Sequence, residues 1–462
     1  MTETTHNNVY LNGSLASVFA KTAAPIILMM LVNGSFNLVD AYFLGIFVGA
    51  DALTAVTAMF PAFMLIVALS TLVSNGFASV MARTLGAGDT QDAKETFAQA
   101  ITLSLMVCLV LIVLFISAGK TMTLMANNNS QTLADMSYLY IAILVFASPL
   151  TFTLSINGDS LRCEGHIGFM ALVSLSSVLL NAVLNYLFIA QLHMGVAGSA
   201  YGTILAQALS LIPVFWFRRR PANHLNIQVM RVSPRRHHWR EFLALGTPSS
   251  LTYIGVALMS AAILFNLQKW SVNHYATTVG AYGIITRLNT FIFLPLLGLS
   301  MAFQSIVGNN VGAKKYQRTN STIKIALIAA LVYCTSIEAI LWLLRHQIGG
   351  WFVDDMAVTN EVARILPVSI LALFLLGPLL MVSMFFQSIG DALRAGILGL
   401  SKTYLFALPL MFTLPLFFGE WGIWYASPGA EALALLLTLW VLFKRRQKLA
   451  FRYGLLYPDN HA

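Results

Sequence analysis

The chain has 462 residues, of which 58% are hydrophobic and only 10% are charged. Soluble domains carry about 25% charged residues, so this composition excludes a soluble globular protein and indicates one that crosses a membrane many times. The formal net charge of +9 could suit a nucleic-acid-binding protein, but the positions of the basic residues, given below, favour a membrane-topology signal.

Long apolar segments recur along the whole chain, after about fifteen polar residues that lack the basic stretch of a cleaved signal peptide. Twelve windows are long enough to cross ~30 Å of hydrocarbon, six in each half of the sequence. They must be helical, because a lipid-exposed backbone has to satisfy its own hydrogen bonds. We therefore predict an all-α polytopic membrane protein with helices near 16–47, 53–82, 97–118, 133–157, 167–190, 196–217, 242–266, 278–307, 321–343, 363–389, 396–418 and 423–443.

One phrase of the sequence occurs twice, at residues 158–165 and again 232 positions later at 390–396. Shorter echoes keep nearly the same offset, namely Leu85-Gly86-Ala87 with Val311-Gly312-Ala313, Gly195-Val196 with Gly422-Ile423, and Pro25 with Pro248. A duplicated apolar chain predicts two bundles that face each other across a central cleft, where transporters bind substrates. We expect an N-terminal lobe at 1–217, a cytoplasmic basic linker at 218–241 and a C-terminal lobe at 242–462 with a short basic tail.

The basic residues lie almost entirely on one side of the predicted topology. Of the 27 Lys and Arg residues, 22 fall on the side that carries both termini, and only Lys120, Lys269 and Arg345 fall opposite. By the positive-inside rule the basic side is cytoplasmic, where it could also contact anionic membrane lipids. The largest clusters are Arg218, Arg219, Arg220, Arg231, Arg235, Arg236, Arg240, Lys314, Lys315, Arg318, Lys444, Arg445 and Arg446.

Few ionisable residues fall inside the predicted helices. Asp40 lies in the first, and a carboxylate at a span centre costs about 2.5–3.5 kcal/mol and usually marks an ion or proton path. Glu338 and Arg287 are secondary candidates, for which a structural role competes with a functional one. Glu431 follows Pro428-Gly429 at the start of the last helix, and we expect it to stabilise a helix N-terminus.

Polar amides and hydroxyls form stripes on otherwise apolar helices of the first half. Residues three, four or seven apart share a helix face, so these stripes predict a polar cavity inside the N-terminal lobe. Hydrogen bonding between helices is the competing explanation. The candidate residues are Asn33, Asn37, Asn157, Asn181, Asn185, Thr203 and Gln207.

The sequence contains no motif for a cofactor. The three cysteines suggest neither a disulfide framework nor a metal site. The repeated phrases at 158 and 390 follow predicted helices rather than strands, so we interpret them as loop turns and not as phosphate-binding loops. We expect no cofactor, no metal, no nucleic-acid partner and no enzymatic activity, and an ATP-driven pump is disfavoured.

With these residues assembled, the chain resembles the multidrug and toxic compound extrusion (MATE) family, and within it the DinF-like branch. The resemblance runs over nearly all twelve segments, and the order and spacing of its pieces are specific. It rests on the first helix from Pro25 to Asp40 and on residues 83–89, 161–165, 195–203, 308–313 and 422–424.

The resemblance implies two six-helix lobes related by pseudo-twofold symmetry, which alternate between outward-open and inward-open states. It makes Asp40 the proton-coupling carboxylate and Pro25 a bend in the first helix, and it implies a monomer. The family usually has an acid where this chain has Asn185, and the sodium-dependent branch has acids in segments seven and ten, which here have none. Both departures favour protons over sodium.

The predicted function is a proton-coupled antiporter of the inner membrane that exports cationic or amphipathic organic compounds. Two other transport functions stay open, a sodium-coupled exporter and a flippase for a lipid or lipid-linked saccharide of similar architecture. A flippase for an anionic lipid would need several cations in the cleft, and only Arg287 is available. A receptor or scaffold without transport is a further alternative, in which Asp40 and the polar stripes would be structural.

Overall fold

Helices account for nearly all of the described chain. The computed structural model describes residues 8–127, 129–220, 225–226, 229–271, 274–449 and 452–458. At residues 35–42, 45, 50, 53 and 448–449 it describes the backbone only. The described residues form seventeen α-helices, numbered here in chain order: α1 Leu15–Phe47, α2 Ala50–Ala58, α3 Phe60–Ala87, α4 Thr90–Ala126, α5 Gln131–Phe146, α6 Ser148–Cys163, α7 Ile167–Asn185, α8 Gly195–Arg218, α9 Trp239–Trp270, α10 Tyr275–Gly312, α11 Tyr316–Leu343, α12 Arg345–Ile348, α13 Met356–Ser369, α14 Leu373–Ser388, α15 Ala392–Leu400, α16 Leu408–Phe418 and α17 Glu420–Leu449.

Ten of these helical stretches are long and apolar enough to cross a membrane, and the number rises to twelve if two bent pairs each count as one span. The bent pairs are α5 with α6 and α13 with α14, each with a bend of 49°. They correspond to the fourth and tenth predicted segments. Pro149 lies in the first turn of α6 and lacks the amide that a continuous helix would need there. The predicted all-α polytopic fold is confirmed.

The first of two compact units comprises Ala24–Tyr253 and the described residues up to Asn12. Its apolar core lies among α3, α4, α5, α6 and α8, where Phe115, Ile141 and Phe152 are buried. The ring of Phe115 stacks on that of Tyr138 at 5.2 Å between centroids. Such contacts stabilise a membrane protein mainly through close packing, because lipid is as apolar as the side chains.

The second unit comprises Gly13–Ala23 and Ile254–Ala462. Its core includes Ile285, Ile365 and Trp424, from α10, α13 and α17. The described C-terminal tail folds back on α11, because the Asn320 amide bonds both the backbone nitrogen and the backbone oxygen of Tyr457, at 2.8 and 2.9 Å. Burial raises the pKa of Tyr457 to about 12.

Two helices, α1 and α9, are divided between the units. In α1 the division falls one residue before Pro25, and in α9 it falls between Tyr253 and Ile254, shortly after Pro248. The segment of α9 up to Tyr253 packs closely on α3, since a Cβ on Gly76 would lie 1.9 Å from the carbonyl oxygen of Phe242. A proline therefore lies near the division in both helices, which are the first helices of the two repeats.

Two short π-helical segments interrupt the regular helices. Tyr186–Gln191 continues α7, and Ser401–Ala407 joins α15 to α16. Such segments insert an extra residue into a turn and occur frequently at functional sites.

Candidate functional site

The predicted coupling residue lies on α1, whose backbone is helical from Leu15 to Phe47 and continuous through Pro25. The side chains of Asp40 and Asn37 lie outside the described residues. Asn33, on the same helix, is described and half-buried, and its amide lies 3.4 Å from the hydroxyl of Ser174 on α7. This contact brings α1 against α7 two turns before Asp40.

A chain of amides joins α7 to α8. Asn185 donates from Nδ2 to Oδ1 of Asn181 at 3.0 Å, and Asn181 donates from Nδ2 to the hydroxyl of Thr203 at 3.0 Å. The Thr203 hydroxyl donates in turn to the backbone oxygen of Ser199 at 3.1 Å. Asn181 and Asn185 are 2% and 0% exposed. The i, i+4 spacing of the two asparagines places them on one face, so three predicted site residues meet as one polar network.

A glycine makes room for this network. A Cβ on Gly202 of α8 would lie 2.4 Å from Oδ1 of Asn185, which is well inside ordinary van der Waals contact. The absence of a side chain at Gly202 therefore allows the Asn185 amide to lie between the two helices.

Gln207, the other predicted site residue on α8, contacts a different helix. Gln207, one turn beyond Thr203 on α8, accepts a hydrogen bond from the Thr151 hydroxyl of α6 at 2.7 Å. The polar face of α8 thus touches α7 at Thr203 and α6 at Gln207. The buried polar contacts link three helices of the first unit.

Asn157 belongs to a separate cluster around a buried arginine. Its Oδ1 accepts from Nε of Arg218 at 2.8 Å, and Arg218 also donates to Glu164 at 3.0 Å and to the backbone oxygen of Leu225 at 2.9 Å. The guanidinium lies 4.9 Å from the ring centroid of Phe97. Arg218, counted in the sequence as a topology charge, is 0% exposed and fixes the end of α8.

The repeated phrase has a common structural role in its two copies. Arg162 pairs with Asp159 at 2.9 Å, and Arg394 pairs with Asp391 at the same three-residue spacing. The prediction of loop turns was wrong for the first copy, which is helical as far as Cys163. In the second copy Gly390, with φ of 84°, forms a turn, but α15 begins at Ala392, so the rest of that copy is also helical.

Glu338 and Arg287 differ in their contacts. Oε2 of Glu338 on α11 accepts from the backbone nitrogen of Phe374 at 2.8 Å, which caps the first turn of α14 at the bend after α13. Arg287 on α10 is exposed, and it forms no hydrogen bond or ion pair with another described residue. The carboxylate therefore has a structural partner, whereas the guanidinium has none among the described residues.

The second unit contains an ion pair with a buried carboxylate, which the sequence did not predict. Glu431 and Lys402 are in direct contact, and their side chains are 6% and 31% exposed. Our expectation that Glu431 starts a helix was wrong, because α17 begins at Glu420 and continues through Pro428. Lys402 lies inside a membrane-crossing stretch, within the helix predicted at 396–418. The signal in the sequence that could have indicated this ion pair was an acid and a base inside two adjacent predicted segments.

One group of side chains in the described chain has the composition of a metal site. Ligand atoms of Asp92, His237 and His238 lie within 4.8 Å of one another. Asp92 is 3.0 Å from His238 and 3.8 Å from His237, and His237 also contacts Gln99 at 3.1 Å. These contacts fasten the linker to α4.

The comparisons with known proteins agree along most of the chain. The MatE family model matches residues 25–187 and 248–413. The multidrug export protein MepA of Staphylococcus haemolyticus is 24% identical over 427 residues, with 92% of each chain covered. The probable multidrug resistance protein YoeA of Bacillus subtilis is 23% identical over 430 residues, which is 89% of this chain and 90% of that one.

A solved structure supports the same fold. An outward-facing multidrug resistance MATE family transporter of the MOP superfamily superposes with a TM-score of 0.86 at 22% identity, covering 96% of this chain and 98% of that chain. The two ranges matched by the family model lie one in each half and together exceed half of the sequence. The chain therefore belongs to the MatE family, and it is a transporter and not an enzyme.

Proposed function

We propose that the protein is a proton-coupled antiporter that exports cationic or amphipathic organic compounds by alternating access. It acts as a monomer in the inner membrane with both termini in the cytoplasm, and lobes at 1–217 and 242–462 move about the linker at 218–241. The names of the relatives MepA and YoeA, which refer to multidrug export and resistance, support this class of cargo.

The observation that carries the proposal is the buried amide network beside α1. Asn33 contacts α7, and Asn181, Asn185 and Thr203 join α7 to α8 with neutral side chains. Asp40 lies seven residues beyond Asn33, about 10 Å along the helix. Other acids of this unit, such as Glu164 with Arg218 and Asp159 with Arg162, are held in ion pairs. We therefore take the acid on α1, which lies near neutral amides and hydroxyls, as the group that changes charge.

Coupling follows if the two states of the transporter differ in their affinity for protons. Ionised Asp40 favours the state that accepts an organic cation from the cytoplasm, and protonation from outside favours release. A ligand that binds both states equally shifts nothing. One pH unit across the membrane is equivalent to about 1.4 kcal/mol for each proton exchanged, which is enough to drive about ten-fold accumulation.

The test is efflux of a fluorescent organic cation from proteoliposomes under an imposed pH gradient, with and without sodium. We expect efflux without sodium in the wild type and its loss in Asp40→Asn. Asp51→Asn is the matched control, because Asp51 is exposed in the first turn of α2 and should keep full activity. Equal efflux by wild type and Asp40→Asn would remove Asp40 from the mechanism, and a strict sodium requirement would favour the sodium-coupled exporter.

Arg287 favours a second candidate function. Its exposed and unpaired guanidinium, within the described part of the chain, lies in a membrane-crossing helix, where cations usually face a polar path. An anionic headgroup would bind there, as a lipid flippase requires. Movement of a labelled anionic lipid between leaflets, lost in Arg287→Gln but kept in Asp40→Asn, would establish this function. No lipid movement in the wild type would exclude it.

A further inference from the structure

The acidic member of the ion pair in the second unit is buried and has an unsatisfied acceptor. Glu431 on α17 is 5% exposed. One carboxylate oxygen contacts the ammonium of Lys402, and the other, Oε2, has no hydrogen-bond partner among the described residues. A buried carboxylate oxygen without a donor is costly, so the ionised form depends on Lys402 remaining in place.

The carboxylate of the pair lies far from both ends of α17. Glu431 is eleven residues from the start of α17 and eighteen from its end, or about 17 and 27 Å at 1.5 Å per residue. At such a depth, an ionised carboxylate that loses its cation must either bind another cation or take up a proton. Lys402 is the more exposed partner of the pair, so we take the lysine as the partner that leaves.

No other cation competes for Glu431 from the described helices that pack on α17. Helices α14 and α16 contain no charged residue, and the charged residues on α13 and α15 have partners of their own. The α13 and α15 contacts are Arg364 with Glu361 and Glu420, and Arg394 with Asp391. On α11, Cys334 is buried and Glu338 is bonded to the start of α14.

Lys402 lies on the π-helical segment Ser401–Ala407, which provides a way for it to move. If the π-helical turn converts to a regular α-helical turn, the side chains next to it rotate about the helix axis by about 100°, which is the angle between successive helical residues. The segment packs on α9, since a Cβ on Gly255 would lie 2.8 Å from the Thr403 methyl group. Gly255 follows directly after the point where α9 passes from the first unit to the second, so a movement of α9 would reach Lys402.

The internal repeat gives the pair a sequence position equivalent to that of the amide network of the first unit. Thr203 lies eight residues after Gly195, and Glu431 lies nine residues after the equivalent Gly422. The fifth and sixth predicted helices are joined through Asn181 and Thr203, and the eleventh and twelfth through Lys402 and Glu431. The same helix pair thus has a neutral link in one repeat and a titratable link in the other.

We propose that Glu431 is a second proton-binding site, and that Lys402 is an internal cation that competes with the proton. When the π-helical segment moves, Lys402 keeps its charge and turns towards water, and a proton from that water binds Oε2 of Glu431. The return of Lys402 expels the proton. The inference rests on the proposed proton coupling and extends it from the first unit to the second.

The test is infrared difference spectroscopy of the purified transporter, titrated from mildly alkaline to mildly acidic pH, which detects the carbonyl stretch of protonated carboxyl groups. We expect one such signal to be lost in Glu431→Gln. In Lys402→Met the signal should persist, with its proton affinity increased about ten-fold or more because the opposing cation is gone. Glu420→Gln, on the same helix but paired with Arg364, should leave the signal unchanged.

Asp40→Asn, recorded in parallel, separates this inference from the proposed function. A signal lost only in Glu431→Gln supports the second site even if Asp40 proves inactive, and the reverse result supports Asp40 alone. If Glu431→Gln fails to fold, Lys402→Met still decides through the shift in proton affinity. A wild-type signal unchanged by Glu431→Gln, or an unchanged affinity in Lys402→Met, would overturn the proposal and leave a permanent structural ion pair.

Discussion

The amide network between α7 and α8 can be broken without removing any of its polar groups. In Gly202→Ala the new methyl group would lie 2.4 Å from Oδ1 of Asn185, whereas ordinary contact begins at 3.4 Å. The Asn185 amide must therefore retreat by about 1 Å, the difference between these two distances. Its 3.0 Å hydrogen bond to Asn181 does not survive such a movement.

The expected cost is about 1–3 kcal/mol for polar atoms that stay buried without a partner. Alanine is itself better than glycine in a helix by about 0.5–1 kcal/mol, which offsets part of this cost. Gly158→Ala provides the reference, because Gly158 lies inside α6 and a Cβ there meets nothing within 4 Å. The free energy of unfolding of Gly202→Ala should therefore lie about 1–3 kcal/mol below that of Gly158→Ala.

The assay is titration of the detergent-solubilised protein with a denaturing detergent, repeated in an Asn185→Ala background. Removing the Asn185 amide removes the clash, so Gly202→Ala should become as favourable there as Gly158→Ala. Such non-additivity is expected only for residues in direct contact. An equal effect of Gly202→Ala in both backgrounds would refute the proposed contact.

The helices and the shared face of the polar residues on α7 could be predicted because both follow from local spacing. The polar cavity of the first unit stays a prediction, because the described amides form hydrogen bonds between helices, which was the competing explanation. Apolar windows of about twenty residues specify membrane helices, and the four-residue spacing of Asn181 and Asn185 specifies a shared face. The breaks inside the fourth and tenth segments were missed, because hydropathy stays high across a bend. Pro149 was the local signal for the first of them.

The ion pairs could not be predicted in the same way, because their partners are distant in sequence. Glu431 is 29 residues from Lys402, and Arg218 is 54 residues from Glu164. A window of high hydropathy can contain one charged residue, so hydropathy does not show where that residue's partner lies. Counting basic residues for the topology assigns each one to the nearest loop, whether or not its side chain is buried. Only the packing of the helices shows that Arg218 and Glu431 are buried.

Two further substitutions test contacts that hold the helices in place. Glu338→Ala should lower the free energy of unfolding by about 0.5–2 kcal/mol, because the amide of Phe374 loses its cap. Glu338→Gln, which keeps an acceptor, should cost less and leave efflux intact. A loss of proton-driven efflux in Glu338→Gln at unchanged stability would instead indicate a coupling role. Gly76→Ala should be far more damaging, since its Cβ would lie 1.9 Å from the backbone oxygen of Phe242. A backbone oxygen inside a packed helix cannot rotate away, so α3 and α9 must separate by about 1.5 Å to restore ordinary contact. That gap would remove packing along the whole crossing, and size-exclusion chromatography should show aggregated protein where Gly158→Ala remains monodisperse. A monodisperse, fully active Gly76→Ala would show that the two helices do not cross at this glycine.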